Sequence, residues 1–176
     1  MARLQASDLE ALFDACFLAS HRTVLRGGAD EPLYAPSAAP EQEPHRVVYR
    51  ADYASSALHE VAHWCIAGAA RRRQPDYGYW YAPDGRSPEQ QSAFERVEVK
   101  PQALESIFAE AAGVPFVLSA DNLDGDPSPS PAFARAVAER RDRYLEEGLP
   151  RRAAIFLRAL HERAMPGPSG RSVVPA

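Results

Sequence analysis

Two histidines one helical turn apart are the residues of this sequence whose spacing most clearly indicates chemistry. They enclose a glutamate in the run His59-Glu60-Val61-Ala62-His63. Four residues along an α-helix amount to ~40° of rotation and ~6 Å of rise, so both imidazoles can face one point beside the helix. The run therefore predicts a divalent metal site; the competing interpretation is a pair of histidines that only hydrogen-bond to their neighbours.

A metal needs a further protein ligand, and two glutamates are candidates for it. Glu98 is the first choice, because Phe94 and Val97 beside it indicate a partly buried helix face. Glu95, one turn earlier, is the alternative, and for either one the competing interpretation is a solvated surface glutamate. Two histidines and one carboxylate would form the facial arrangement that binds mononuclear non-haem iron.

The elements that must position these residues are mainly helical. A first helix is expected to begin at Ser7 or Asp8, either of which can cap it. Apolar residues at helical spacing predict further helices over residues 55–72, 131–147 and 150–163. The first of these three carries the histidine pair, so it is the metal helix of the prediction.

A separate helix should carry Glu98. The run Ser87-Pro88-Glu89-Gln90 has a capping serine, proline at the first helical position and glutamine three residues after the cap. Pro101 is expected to kink or end this helix, because proline lacks the amide hydrogen. A helical stripe then continues to Gly113, which suits a C-terminal cap.

Short extended segments and loops connect the helices. Residues 47–49 predict one strand and residues 114–119 a second extended segment, whereas the prolines and glycines of residues 27–44 predict a surface loop. The prediction is a helix-rich α+β fold with a few short strands, one compact domain over residues 1–165 and a metal site between two helices. Residues 166–176, rich in Pro, Gly and Ser, are expected to be a disordered tail.

Composition limits the class of protein. With 176 residues and 45% hydrophobic content, the chain can bury one sizeable core. A net charge of -4 predicts no general attraction to nucleic acid. Neither a signal peptide nor a run of ~20 apolar residues is evident, so a cytoplasmic location without membrane contact is expected. Cys16 and Cys65 lie in apolar helical patterns and are expected to be buried thiols.

Three functional classes remain open at this point. One is an iron enzyme; a second is a zinc peptidase with Glu60 as general base; a third is a non-catalytic factor with a structural metal. A di-iron centre would need two Glu-x-x-His motifs, and the sequence has one. No histidine is followed two positions later by Asp or Glu, which argues against a 2-oxoglutarate oxygenase.

Several long runs of the sequence resemble the bacterial elongation factor P hydroxylase family. The similarity extends from the first helix to about Arg163 and is more specific than the histidine motif alone. The runs are Tyr53-Ala54-Ser55-Ser56-Ala57-Leu58-His59-Glu60, His63-Trp64-Cys65-Ile66-Ala67-Gly68, Tyr77-Gly78-Tyr79-Trp80-Tyr81, Pro83-Asp84-Gly85-Arg86, Val97-Glu98-Val99-Lys100-Pro101-Gln102-Ala103-Leu104 and Asp121-Asn122-Leu123.

This resemblance implies a chemistry and a partner. It implies a mononuclear non-haem Fe(II) enzyme that uses dioxygen to hydroxylate the β-lysyl-modified lysine of elongation factor P. The implied iron ligands are His59, His63 and Glu98. In such an enzyme Glu60 need not be a hydrolytic base and is expected to orient a ligand or a bound water.

The implied substrate side chain is long and cationic, so carboxylates and flat aromatic walls would suit it. The candidates for charge pairing are Asp121, Asp124 and Asp126 in an acidic turn. The candidate aromatic contacts are Tyr79 and Trp80, within a cluster that includes Tyr77 and Tyr81. The competing interpretation is an ordinary turn and ordinary core aromatics.

Overall fold

The computed structural model describes residues 3–78, 86–120 and 128–164. Within these ranges, five α-helices pack with one small sheet, which confirms the predicted helix-rich α+β fold. The helices are α1 (Ala6–His21), α2 (Ala54–Ile66), α3 (Pro88–Ala112), α4 (Pro131–Glu147) and α5 (Arg151–Ala164). The strands are β1 (Thr23–Ala29), β2 (Leu33–Ala35) and β3 (His45–Arg50).

The sheet has the order β1-β3-β2, with β1 parallel and β2 antiparallel to the central β3. The predicted strand at residues 47–49 is thus confirmed as part of β3. The prediction of one loop over residues 27–44 is wrong in part, because β1 continues to Ala29 and β2 lies inside that range.

The glycines behind that wrong prediction belong to a strand irregularity. The register of β1 against β3 shifts between Arg26 and Ala29, and Gly28 has φ +95. A Cβ on Gly27 would lie 2.5 Å from Cζ of Tyr49, so no larger residue fits there. Glycine at such a bulge can change the direction of a strand without ending it, so these glycines do not mark the start of a loop.

Helix α2 lies between the sheet and α3, since it packs against β3 on one side and α3 on the other. Its apolar stripe is fully buried at Ala57, Leu58, Val61 and Ala62. A buried stripe on one side fixes the rotation of the helix, and the histidines are thereby directed to α3. The architecture therefore accounts for the orientation of the metal helix.

Helix α2 ends at Ile66, six residues before the predicted end at residue 72. The reason lies in a distant residue. Nη2 of Arg152 on α5 donates to the carbonyl oxygens of Trp64, Cys65 and Ala67, at 2.9, 3.1 and 2.6 Å. These bonds satisfy the last carbonyls of the helix without a further helical turn.

Replacing Arg152 with glutamine is expected to lower the free energy of unfolding by ~1–3 kcal/mol, because the carbonyls at the end of α2 lose their donor. The guanidinium also lies 4.8 Å from the centre of the Trp64 ring, and that contact is lost too. Urea denaturation measures the change. The neighbouring, exposed Arg151 is the control, and its glutamine variant should lie within ~0.5 kcal/mol of the parent; equal losses would contradict the capping role.

Helix α3 has the predicted caps at both ends, Ser87 and Gly113. The prediction that Pro101 ends the helix is wrong. Ser87 caps it and accepts from the backbone of Gln90, and Gly113 closes it with φ +66. The helix continues unbroken through the buried Pro101. Packing of α3 against α2, α4 and α5 outweighs the helical hydrogen bond that Pro101 cannot donate. The local sequence cannot indicate this packing.

Other local predictions have mixed outcomes. Helices α4 and α5 are confirmed within a residue or two. Helix α1 begins two or three residues earlier than expected: Gln5 is its N-cap, and Asp8 accepts from the Gln5 backbone amide at 3.0 Å. Residues 114–119 form no strand. The predicted tail, residues 166–176, lies outside the described residues.

The core joins α1, α2 and α5 through aromatic rings. Trp64 contacts Phe13 and Phe17 with ring centres 5.0 and 4.6 Å apart. Cys65 is buried and Cys16 partly buried, and both are free thiols, as predicted. Among the described helices, none combines the length and apolar character that crossing a bilayer requires.

Candidate metal centre

The structure brings His59, His63 and Glu98 together at the contact of α2 and α3. The Nε2 atoms of the two histidines are 3.1 Å apart. Oε1 of Glu98 lies 3.2 Å from Nε2 of His63, and its Oε2 lies 3.6 Å from Nε2 of His59. One ligand atom from each residue lies within 4.8 Å of the other two.

These distances fit a small divalent cation. Ligand atoms held ~2.1 Å from a metal at right angles to one another lie ~3 Å apart. The separations of 3.1 and 3.2 Å are close to that value without any movement of the side chains. Glu98 is 2% exposed, so the arrangement buries a carboxylate against two imidazole nitrogens that a cation would satisfy together.

Glu105 belongs to the candidate site but is absent from the residues that the sequence predicted for it. Its Oε2 lies 2.8 Å from Nδ1 of His59, and the side chain is buried. When His59 is neutral and its Nδ1–H donates to this carboxylate, the lone pair is on Nε2, the atom that faces His63 and Glu98. Glu105 follows Glu98 by seven residues, and this spacing along one helix face was the signal available in the sequence.

Gln102, also missed, supports Glu98 from the same face of α3. Its Nε2 donates to Oε2 of Glu98 at 3.4 Å and to the carbonyl oxygen of Ser119 at 2.8 Å. Its Oε1 accepts from the Ser119 amide at 3.0 Å. The buried amide is therefore fixed by the 114–119 segment and in turn orients the carboxylate.

The electrostatics of the site favour positive charge. Burial lowers the pKa of His59, but the hydrogen bond and charge of Glu105, with the charges of Glu98 and Glu60, raise it to about 10. Burial raises the pKa of Glu98, whereas the adjacent His63 and His59 lower it to about 2. Three carboxylates around two histidines would likewise stabilise a bound cation.

Comparison with known proteins shows which family the chain belongs to. The sequence model of the family described as elongation factor P hydroxylase matches residues 12–166. The chain belongs to the elongation factor P hydroxylase family. A relative from Haemophilus influenzae, named elongation factor P lysine hydroxylase, is 51% identical over 154 residues, which cover 87% of this chain and 85% of the relative.

Two other glutamates of this hydroxylase family member have distinct surroundings. Glu95, the alternative ligand, accepts from the amide and Oγ of Ser130 at 3.2 and 2.7 Å, at the start of α4. It is not part of the histidine cluster found among the described residues. Glu60 lies close enough to the charges of the cluster for them to act on its carboxyl, and burial raises its pKa.

Tyr77 forms an aromatic wall beside His63. Its ring lies parallel to the His63 ring, with centres 6.4 Å apart, and stacks on Tyr34 at 4.5 Å. Both Asp76 and Tyr77 have positive φ, 46° and 59°, a costly conformation for such residues. Two hydrogen bonds hold this conformation: the Tyr34 backbone amide donates to Asp76, and Arg71 donates to the Tyr77 carbonyl oxygen.

The predicted substrate contacts fall outside the part of the chain that the structure describes. They are Asp121, Asp124, Asp126, Tyr79 and Trp80. The structure does describe a cleft of about 430 Å³ that has His63, Tyr77 and Val97 in its wall. This cleft reaches the histidine cluster at His63.

Proposed function

We propose that this chain is a mononuclear non-haem Fe(II) hydroxylase that uses dioxygen to hydroxylate the β-lysyl-modified lysine of elongation factor P. The observation that carries the proposal is the triad of His59, His63 and Glu98, with two histidines and one carboxylate at ligand spacing. Membership in the hydroxylase family supplies the reaction class. The name of the H. influenzae relative supplies the substrate.

Each residue of the site has a defined task in this proposal. His59, His63 and Glu98 would hold the metal, and the cleft beside His63 would admit the substrate. Bound Fe(II) would supply the activation of dioxygen that insertion into a carbon–hydrogen bond requires. Glu105 keeps the proton of His59 on Nδ1. Glu60 orients a ligand or a water rather than acting as a hydrolytic base.

The substrate contacts remain as proposed from the sequence. Asp121, Asp124 and Asp126 would pair with the cationic end of the modified lysine, and Tyr79 and Trp80 would form flat walls along it. An external reductant must supply two electrons for each hydroxyl group formed, while the second oxygen atom leaves as water. The proposed location is the cytoplasm, with neither nucleic acid nor membrane taking part.

A zinc peptidase is the competing function, because two histidines and a glutamate also bind zinc in that class. The distinction depends on Glu60. As a general base it would contribute ~10²–10⁴-fold to hydrolysis, whereas in a hydroxylase its loss should be mild.

Replacing Glu60 with glutamine is therefore expected to keep hydroxylation within about tenfold of the parent rate, since the variant retains all three proposed ligands. The rate is measured on β-lysylated elongation factor P, and a panel of unstructured peptides tests the parent for hydrolysis. Peptide cleavage by the zinc-loaded parent that disappears in the variant would support the peptidase instead.

Mass spectrometry tests the proposed reaction itself. β-Lysylated elongation factor P is incubated with the protein, Fe(II), a reductant and air, beside a His59→Ala control. The expected result is a gain of one oxygen atom on the modified lysine with the parent and none with the control. An unchanged mass with fully Fe(II)-loaded parent would contradict the proposed function.

A further inference from the structure

The cleft beside His63 is bordered by positive charge. Arg71, Arg96 and Lys100 line it, and none of its lining residues among those described is acidic. The whole chain, by contrast, carries a net charge of -4. Positive charge is thus concentrated at the opening next to the metal centre.

A second depression extends this charge along the surface. It has a volume of about 650 Å³, shares Ile66, Ala67 and Gly68 with the first cleft, and adds further arginines. We call the six cations of the two depressions the basic rim: Arg71, Arg72, Arg96, Lys100, Arg151 and Arg152.

Three cations of the basic rim form no ion pair with another described residue. Arg72 and Arg152 donate to carbonyl oxygens at the end of α2, which explains their presence. Arg96, Lys100 and Arg151 are exposed, and no described carboxylate lies within 4.0 Å of their charged groups. Exposed cations on one face raise the local potential and attract a complementary surface.

Among the described residues, the charge is arranged in two zones of opposite sign. Glu60, Glu98 and Glu105 lie at the metal centre, while the rim outside it is basic. A cationic modified lysine gains from the inner zone but is repelled by the rim. The rim therefore suits a negatively charged partner better than that side chain.

We propose that the basic rim is the docking surface for an acidic patch of the protein substrate, from which the modified lysine reaches the metal centre. This inference rests on the proposed function. A protein fits better than a nucleic acid, because the H. influenzae relative is named for a protein substrate and the rim encloses two short depressions rather than one long groove. Rim charges act chiefly on association and its salt dependence.

The test compares two substrates of the same chemistry. One is intact β-lysylated elongation factor P; the other is a short β-lysylated peptide without Asp or Glu. The rim variant carries Arg96→Gln with Lys100→Gln, two exposed changes on α3. The matched control carries Arg135→Gln with Arg158→Gln, two exposed cations that line neither depression.

The rim variant is expected to lose about tenfold in kcat/KM on the intact protein, and its residual rate should depend less on salt. The ratio of kcat/KM for protein to that for peptide should fall by a similar factor. The control variant should match the parent on both substrates, and equal melting temperatures exclude a folding defect.

Three outcomes would overturn the inference. Equal losses on both substrates would place the effect at the metal centre, and no loss on the protein would remove the docking role. Inhibition of the parent by a single-stranded RNA that fails to inhibit the rim variant would assign the rim to nucleic acid. If the parent hydroxylates neither substrate, the proposed function fails instead, and binding of parent and rim variant to the intact protein then decides the docking question.

Discussion

Replacing Glu98 with glutamine is expected to weaken Fe(II) binding by at least about a hundredfold and to abolish hydroxylation. Glutamine has nearly the same shape but no negative charge, and Glu98 is the buried carboxylate that faces the Nε2 atoms of both histidines. Metal affinity is measured by competition with a chelator of known strength. Because the readout is binding, the result does not depend on having the correct reductant.

Glu95→Gln is the matched control on the same helix. Glu95 binds Ser130 at the start of α4, so its variant should lose ~1 kcal/mol of stability and keep its metal affinity. Equal weakening of metal binding in the two variants would show that the ligand is wrongly assigned. A Glu98 variant with parental affinity would remove the triad from the account.

Replacing Glu105 with glutamine is expected to weaken metal binding by ~10–100-fold while all three ligands stay in place. The amide no longer holds the Nδ1 proton of His59 by a charged hydrogen bond, so the imidazole becomes a poorer donor. Absorption spectra of the Co(II)-substituted proteins distinguish the loss of a ligand from weaker donation by a ligand that stays in place. The Glu105 variant should keep the parental spectrum at saturation, whereas the Glu98 variant should not.

Glu110→Gln serves as the control for Glu105. Glu110 lies on the same helix but its side chain is 73% exposed and pairs with Arg141 on the surface. Its variant should bind metal as the parent does. A Glu105 variant within twofold of the parental affinity would contradict the orienting role.

The chemistry of the histidine pair is local, and for that reason the sequence alone could indicate it. A spacing of four on a strongly apolar helix determines both the element and the shared direction of the two imidazoles. The caps at Ser87 and Gly113 and the helices α4 and α5 are likewise encoded by neighbouring residues. These features needed no knowledge of the tertiary structure.

The remaining half of the site depends on how α3 is rotated against α2. Glu95 and Glu98 are one turn apart, and only the packing of the helix decides which one faces the histidines. Glu98, Gln102 and Glu105 follow one another at spacings of four and three, so all three lie on the face that meets α2. The sequence contains this pattern, but nothing local marks it as a metal-facing side rather than a solvated one.

Non-local contacts also explain where the fold differs from the prediction. The end of α2 is set by Arg152, more than eighty residues later in the chain. Strand β1 extends through two glycines because β3 pairs with it. Helix α3 tolerates Pro101 because three other helices pack against α3. Propensity is a weak guide wherever such contacts oppose it.

The most direct measurement follows the oxygen atom. Metal-free protein is reloaded with either Fe(II) or Zn(II) and incubated with β-lysylated elongation factor P and a reductant, under isotopically heavy dioxygen in ordinary water. We predict one heavy oxygen on the modified lysine with Fe(II) and none with Zn(II) or with the Glu98→Gln variant. A product that carries its new oxygen from water, or that forms equally with Zn(II), would contradict the proposed iron and dioxygen chemistry.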